Sequence, residues 1–121
     1  MEILVHEKNN NRIAEIQTEK VIIKKTEDFL DLLSDVPSKK FILKKENIDG
    51  SFFDLKTGLA GEILQKASTY RIYLGIAGDF ENIESSSLRS FIAESNRTGQ
   101  IVFMQTVHEI LEIFGGQDKR V

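Results

Sequence analysis

The chain has 121 residues and a formal net charge of -3, from 16 Lys and Arg against 19 Asp and Glu. That length closes one hydrophobic core, and the charge balance supplies no bulk basic field for nucleic acid. The absence of cysteine excludes disulfides, thiolate catalysis and thiolate-bound zinc, and no apolar run approaches the roughly 20 residues of a membrane-spanning helix.

The opening Met-Glu-Ile-Leu-Val-His-Glu-Lys has no basic region followed by an apolar block, so no secretion signal is expected and a cytoplasmic setting is. Glu2–Lys8 alternates and is rich in aliphatics, and residues 12–17 repeat that character after Asn9-Asn10-Asn11. Asparagine tolerates the positive φ of tight turns, so this pair predicts a β-hairpin. Val21-Ile22-Ile23 reads as an edge strand or as the approach to a first helix. That helix takes Thr26 as its cap and buries Phe29, Leu30, Leu32, Leu33 and Val36. Pro37 ends it, because proline disfavours helical geometry in the residue before it. Phe41-Ile42-Leu43 is a short apolar run of the kind a strand covered on both faces shows.

A second helix starts near Thr57 and carries Leu59, Ile63, Leu64 and Ala67. Residues 71–78 form the best strand, with Gly75 where a neighbouring helix or backbone comes close. A third helix over residues 85–96 turns Leu88, Phe91 and Ile92 inward and has Gly99 just past its end. Ile101-Val102-Phe103-Met104 is the next buried strand. Thr106-Val107-His108-Glu109 is a capping-box pattern that opens a last helix, burying Val107, Ile110, Leu111 and Phe114 and stopping at Gly115-Gly116. Strands separated by single helices require crossovers and a mostly parallel sheet. The expectation is one α/β domain over residues 1–116, with a mixed, mostly parallel sheet of four to five strands, about four helices and an N-terminal β-hairpin. Residues 117–121 read as a loose tail.

The chemistry is thin. His6 and His108 lie on a strand and at a helix start with no metal-binding spacing, so no metal or other cofactor is expected. No Gly-x-Ser-x-Gly, P-loop or Gly-x-Gly-x-x-Gly occurs, and Ser85-Ser86-Ser87 reads as helix capping. Lys39, Lys40, Lys44 and Lys45 form the one basic cluster and read as solvated strand ends. Asp79 follows the best strand, where open α/β sheets place ligand-facing residues, although an aspartate there also serves a turn.

The most informative stretch runs from Asp49 to Lys66, where a loop with two aromatics and Asp54-Leu55-Lys56-Thr57-Gly58 leads into a helix. Such a junction offers unpaired N–H groups and the positive end of a helix dipole. Three readings compete. In the first, Thr57 or Asp54 is a cap, Gly58 and Gly61 let the helix approach the sheet, and Phe52 and Phe53 pack underneath. In the second, the junction docks a protein through Phe52 or Phe53. In the third, Thr57 is a regulatory phosphoacceptor.

The element order, with this junction after a central strand, resembles the STAS fold of anti-sigma-factor antagonists. There a phosphoacceptor Ser or Thr precedes a glycine at a helix start, and Thr57 before Gly58 falls on that position. A closer likeness covers nearly the whole chain. The segments Phe52-Phe53-Asp54-Leu55-Lys56-Thr57-Gly58-Leu59-Ala60-Gly61, Gly75-Ile76-Ala77-Gly78-Asp79-Phe80 and Phe91-Ile92-Ala93-Glu94-Ser95-Asn96 look like a bacterial family known only as domain of unknown function 4180. The family likeness implies a bacterial setting and supplies no activity, and the leading expectation is a non-enzymatic, STAS-like domain that works by protein–protein interaction in regulation. Its site residues are then Phe52, Phe53, Asp54, Lys56, Thr57, Gly58 and Asp79, with the switch at Thr57. The alternative is a small-molecule binder or enzyme, in which Asp54, Lys56, Asp79, Glu94 and Asn96 converge at one end of the sheet. A third is a homodimer that buries the Phe52-Phe53 face. No nucleic-acid or membrane partner is expected.

Overall fold

A computed structural model describes residues 1–116, and the tail expected at 117–121 lies outside the described residues. The hairpin pairs β1 (Glu2–Lys8) with β2 (Asn11–Gln17) in an unbroken register from Glu2 opposite Gln17 to Lys8 opposite Asn11. Its turn is only Asn9 and Asn10, with φ of 53° and 67°, the left-handed geometry that a two-residue hairpin turn demands. Three further strands follow in parallel: β3 (Lys40–Lys44), β4 (Tyr73–Ala77) and β5 (Ile101–Met104). The sheet is therefore mixed and mostly parallel, with its five strands in the order β1-β2-β3-β4-β5.

Among the described residues, four helices complete the α/β fold: α1 (Thr26–Asp35), α2 (Leu59–Tyr70), α3 (Ser86–Thr98) and α4 (Val107–Gly116). Because the strand order never doubles back, crossovers of one hand place all three linking helices on one face. Side-chain alternation along the strands agrees. Ala14, Ile16, Phe41, Leu43, Leu74, Ile76, Ile101 and Phe103 face the larger core with α1, α2 and α3. Ile13, Ile42, Ala77 and Val102 face the other way, against Ile110 and Phe114 of α4.

Local signals account for most element ends. Ser85 caps α3 by accepting from the Leu88 N–H, and Gly99 closes it at φ 84°. The Thr106–Glu109 box forms in both directions, Glu109 N to Thr106 Oγ1 at 3.1 Å and Thr106 N to Glu109 Oε1 at 3.0 Å. Gly75 marks a close approach, since a Cβ there would lie 2.4 Å from Cγ2 of Ile110. Other ends differ from expectation. Lys25, not Thr26, is the N-cap of α1. Asp28 accepts from the N–H groups of Lys24 and Lys25, while the Thr26 hydroxyl reaches Glu62 of α2 at 2.5 Å. Of Val21-Ile22-Ile23, only Ile23 makes a bridge, parallel to Ile48.

The lysines read as solvated strand ends include three with specific partners. Lys40 Nζ donates to Asn11 Oδ1 at 2.5 Å and to the Phe114 carbonyl at 3.1 Å, against the C-terminal end of α4. Cations there complement the helix dipole. Lys39 Nζ donates to the Tyr70 carbonyl at 3.3 Å, and Lys45 Nζ to the Asp79 carbonyl at 2.8 Å.

Candidate functional site: the junction between β3 and α2

Between Lys44 and Leu59 the chain neither forms a strand nor starts a long helix. It makes three short 3₁₀ turns, Lys45–Asn47, Gly50–Phe53 and Leu55–Thr57. Short polar side chains drive each one by bonding backbone two or three residues away, which offers the chain an alternative to helix. Asp49 accepts from Ser51 N at 3.0 Å and Asp54 from Lys56 N at 3.2 Å. Hydrogen bonds from Ser51, side chain and backbone, hold the Asp49 carboxyl below the usual carboxylate range, with the Lys24 charge adding to the effect.

Asn47 anchors the whole segment. It is 0% exposed, and its Oδ1 accepts from Lys44 N at 2.8 Å while its Nδ2 donates to the carbonyls of Thr18 and Lys20, both at 2.9 Å. Its own carbonyl accepts from Ile22 N and Ile23 N. A buried amide with every polar atom engaged fixes one conformation, because any other leaves those groups unpaired. Nothing in Lys44-Lys45-Glu46-Asn47 announces this role, since all the partners but Lys44 lie more than twenty residues upstream.

Phe52 and Phe53 divide. Phe52 is 0% exposed and packs edge-on to Phe53 and near Phe103, so it pins the junction to the core and offers no side-chain surface to a partner. Phe53 is half-buried, with its ring 6.1 Å from that of Phe80. Lys45 stands over both, its Nζ 5.8 Å from the Phe53 centroid and 5.1 Å from that of Phe80, within cation–π range. Through Lys45, then, the structure brings Phe53 and the Asp79 backbone together, two places that the sequence kept apart.

Thr57 is exposed and fully engaged. Its hydroxyl lies 2.7 Å from the Ser51 carbonyl and 2.9 Å from the Asp54 carbonyl, and it accepts from Leu59 N at 3.3 Å. One hydroxyl thus ties the second 3₁₀ turn to the third and caps the first N–H of α2. Gly58 follows at φ 82°, a left-handed geometry that costs a non-glycine residue roughly 1–2 kcal/mol. A Cβ on Gly58 or on Gly61 would meet nothing within 4 Å. These glycines therefore do not serve close approach to the sheet, and Gly58 is there for its backbone angle.

The polar groups expected to converge at the sheet end do so only in part. Asp79 and Asn96 line a cleft of about 260 Å³ with Phe80, Phe103, Met104 and Gln105, and Asp54, Lys56 and Glu94 are not among its lining residues. Asn96 spends both side-chain atoms on the backbone of Phe103, and Asp79 accepts from Glu81 N at 3.0 Å. Glu94 is exposed and bound to Arg97, which holds its carboxyl below the usual range. Open α/β sheets place ligands where the strand order reverses, and the order of this sheet never does. Among the described residues, no cluster of three or more His, Asp or Glu is arranged to hold a metal ion.

A family model described as "Domain of unknown function (DUF4180)" matches residues 8–113. The chain belongs to this family. The match spans the sheet from the end of β1 onward and includes the entire β3–α2 junction. No curated protein and no solved structure matches the chain.

Proposed function

We propose that this DUF4180 domain is a STAS-like regulatory module that binds a partner protein at the β3–α2 junction and is switched at Thr57. The observation that carries the reading is the Thr57 hydroxyl, exposed on the surface yet holding the Ser51 and Asp54 carbonyls and the start of α2. The order of elements and the place of Thr57 directly before Gly58 support the STAS likeness.

Phosphorylation would change this place in a definite way. The oxygen would lose its proton, so neither carbonyl could be held. A phosphoryl group would add about -1.5 to -2 of charge beside Asp54, while its oxygens would find the N–H groups at the start of α2. The two turns joined by Thr57 would separate, and the exposed surface of Asp54, Lys56 and Thr57 would change shape and sign together. Phe52 would stay buried and keep the rest of the domain unchanged.

Mass analysis of the protein isolated from its native cells, with peptide mapping, tests the modification. Co-purification with wild type, Thr57→Val and Thr57→Glu, each confirmed folded by circular dichroism, tests the switch. Phosphate on the Thr57 peptide and a partner set that differs between the Val and Glu variants are expected. An unmodified Thr57 with the same partners for all three proteins would sink the proposal.

A further inference from the structure

Among the described residues nothing pairs with the outer edge of β1, and we infer that it pairs with the β1 of a second copy to form a continuous two-fold sheet. β1 is a terminal strand of seven residues, with no proline and no bulge in its register. Natural sheets blunt such edges with prolines, bulges, charged side chains or covering loops, and here the charges Glu2, Glu7 and Lys8 sit at the two ends and leave Ile3, Leu4 and Val5 between them. Among the described residues, no backbone bond outside the ladder reaches Glu2–Lys8. Exposed large apolar side chains also gather here, with Leu4 45% and Val5 39% exposed.

The register determines which groups are free. The two-residue turn closes on Lys8 and Asn11, which makes that pair hydrogen-bonded, and bonded pairs alternate along an antiparallel ladder. Glu2, Leu4, His6 and Lys8 therefore bond inward to β2, while Ile3, Val5 and Glu7 direct N–H and C=O to the outside. A two-fold antiparallel pairing must match outward residues with outward residues. Centred on Leu4, it sets Ile3 opposite Val5 twice on one face of the sheet. On the other face it sets Leu4 opposite Leu4 and Glu2 opposite His6, whose ring already contacts Glu15 at 2.9 Å. Apolar residues meet apolar ones and a carboxylate meets an imidazole. Centred on Val5, the same strand would put Ile3 against Glu7 and Leu4 against His6, a poorer match. This surface lies on the hairpin, apart from Phe52 and Phe53.

The absence of cysteine makes the pairing directly testable. Leu4 facing Leu4 is a non-hydrogen-bonded pair, with Cα atoms expected about 4.5 Å apart, which a disulfide spans. Val5 would lie more than about 7 Å from its counterpart, too far for one. Sedimentation at tens of micromolar should give twice the 13.8 kDa of one chain. Leu4→Cys should cross-link under mild oxidation and Val5→Cys should not. Leu4→Lys, at a side chain exposed in the monomer, should leave circular dichroism unchanged and weaken the dimer at least tenfold. A monomeric wild type, a dimer that survives Leu4→Lys, or preferential cross-linking through Val5→Cys would each overturn the inference.

Discussion

Asn47→Ala removes the one buried amide that ties the chain between β2 and α1 to the exit of β3. Three hydrogen bonds go with it, from Lys44 N at 2.8 Å and to the Thr18 and Lys20 carbonyls at 2.9 Å. Each such bond contributes about 1 kcal/mol net, and a buried group left unpaired costs about 1–3 kcal/mol. Lys20 is exposed, and Thr18 and Lys44 are partly exposed, so water replaces part of what the three backbone groups lose. The sum is about 3 kcal/mol, a large part of the 5–15 kcal/mol typical of a small domain. Asn47→Asp keeps the acceptor for Lys44 N but turns a carboxylate oxygen toward two carbonyls, so its loss should equal or exceed that of alanine. Urea unfolding by circular dichroism measures both, with the slope unchanged. Hydrogen exchange adds a local readout, because the Ile22 and Ile23 amides bond to the Asn47 carbonyl and the Asp49 amide to that of Ile23. These amides should lose protection before those of β4. A loss below about 1 kcal/mol for alanine, or an aspartate as stable as wild type, would refute the reasoning.

Gly75→Ala should destabilise by about 1–3 kcal/mol, because its Cβ would sit 2.4 Å from Ile110 Cγ2 and an overpacked core resists such insertion. Combined with Ile110→Ala, it should cost markedly less than the sum of the two single changes in denaturant melts, and strict additivity would rule out the clash. Gly58→Ala should cost about 1–2 kcal/mol from its left-handed backbone alone, whereas Gly61→Ala, on a helix with open space around it, should stabilise slightly. Thermal melts of the two variants in opposite directions are expected, and a common direction would contradict the assignment.

Residues that answer to their near neighbours were legible from sequence alone. The Asn9-Asn10 turn, the Ser85 cap, the Gly99 stop and the Thr106–Glu109 box are each decided within about four residues. The mostly parallel pairing followed, because strands separated by single helices need crossovers. The order of the strands within the sheet did not, since doubly wound sheets of several orders share that alternation. What could not be read depends on long-range partners or on lost periodicity. Asn47, Lys40 and Lys45 are polar letters in a polar stretch, and their roles come from Thr18, Phe114 and Asp79. Phe52 and Phe53 are adjacent, and in a 3₁₀ turn neither the strand period of two nor the helix period of 3.6 tells which one faces the core. The same loss of period hid the purpose of Gly58, which reads equally as a packing residue and as a left-handed cap.

The unreversed strand order also bears on how the molecule is made. Each strand pairs with the one synthesised just before it, so a chain leaving the ribosome can widen its sheet one strand at a time. Only α4 breaks that sequence. Its carbonyl at Gly115 accepts from Asn9 and Asn11, side chains 106 and 104 residues upstream, and the Phe114 carbonyl accepts from Lys40. Until that helix exists, the face of the sheet formed by Ile13, Ile42 and Val102 stands open. A nascent chain halted before α4 is therefore a half-covered sheet, exposed to chaperones and to its own kind, and the last helix is the latch that ends that exposure.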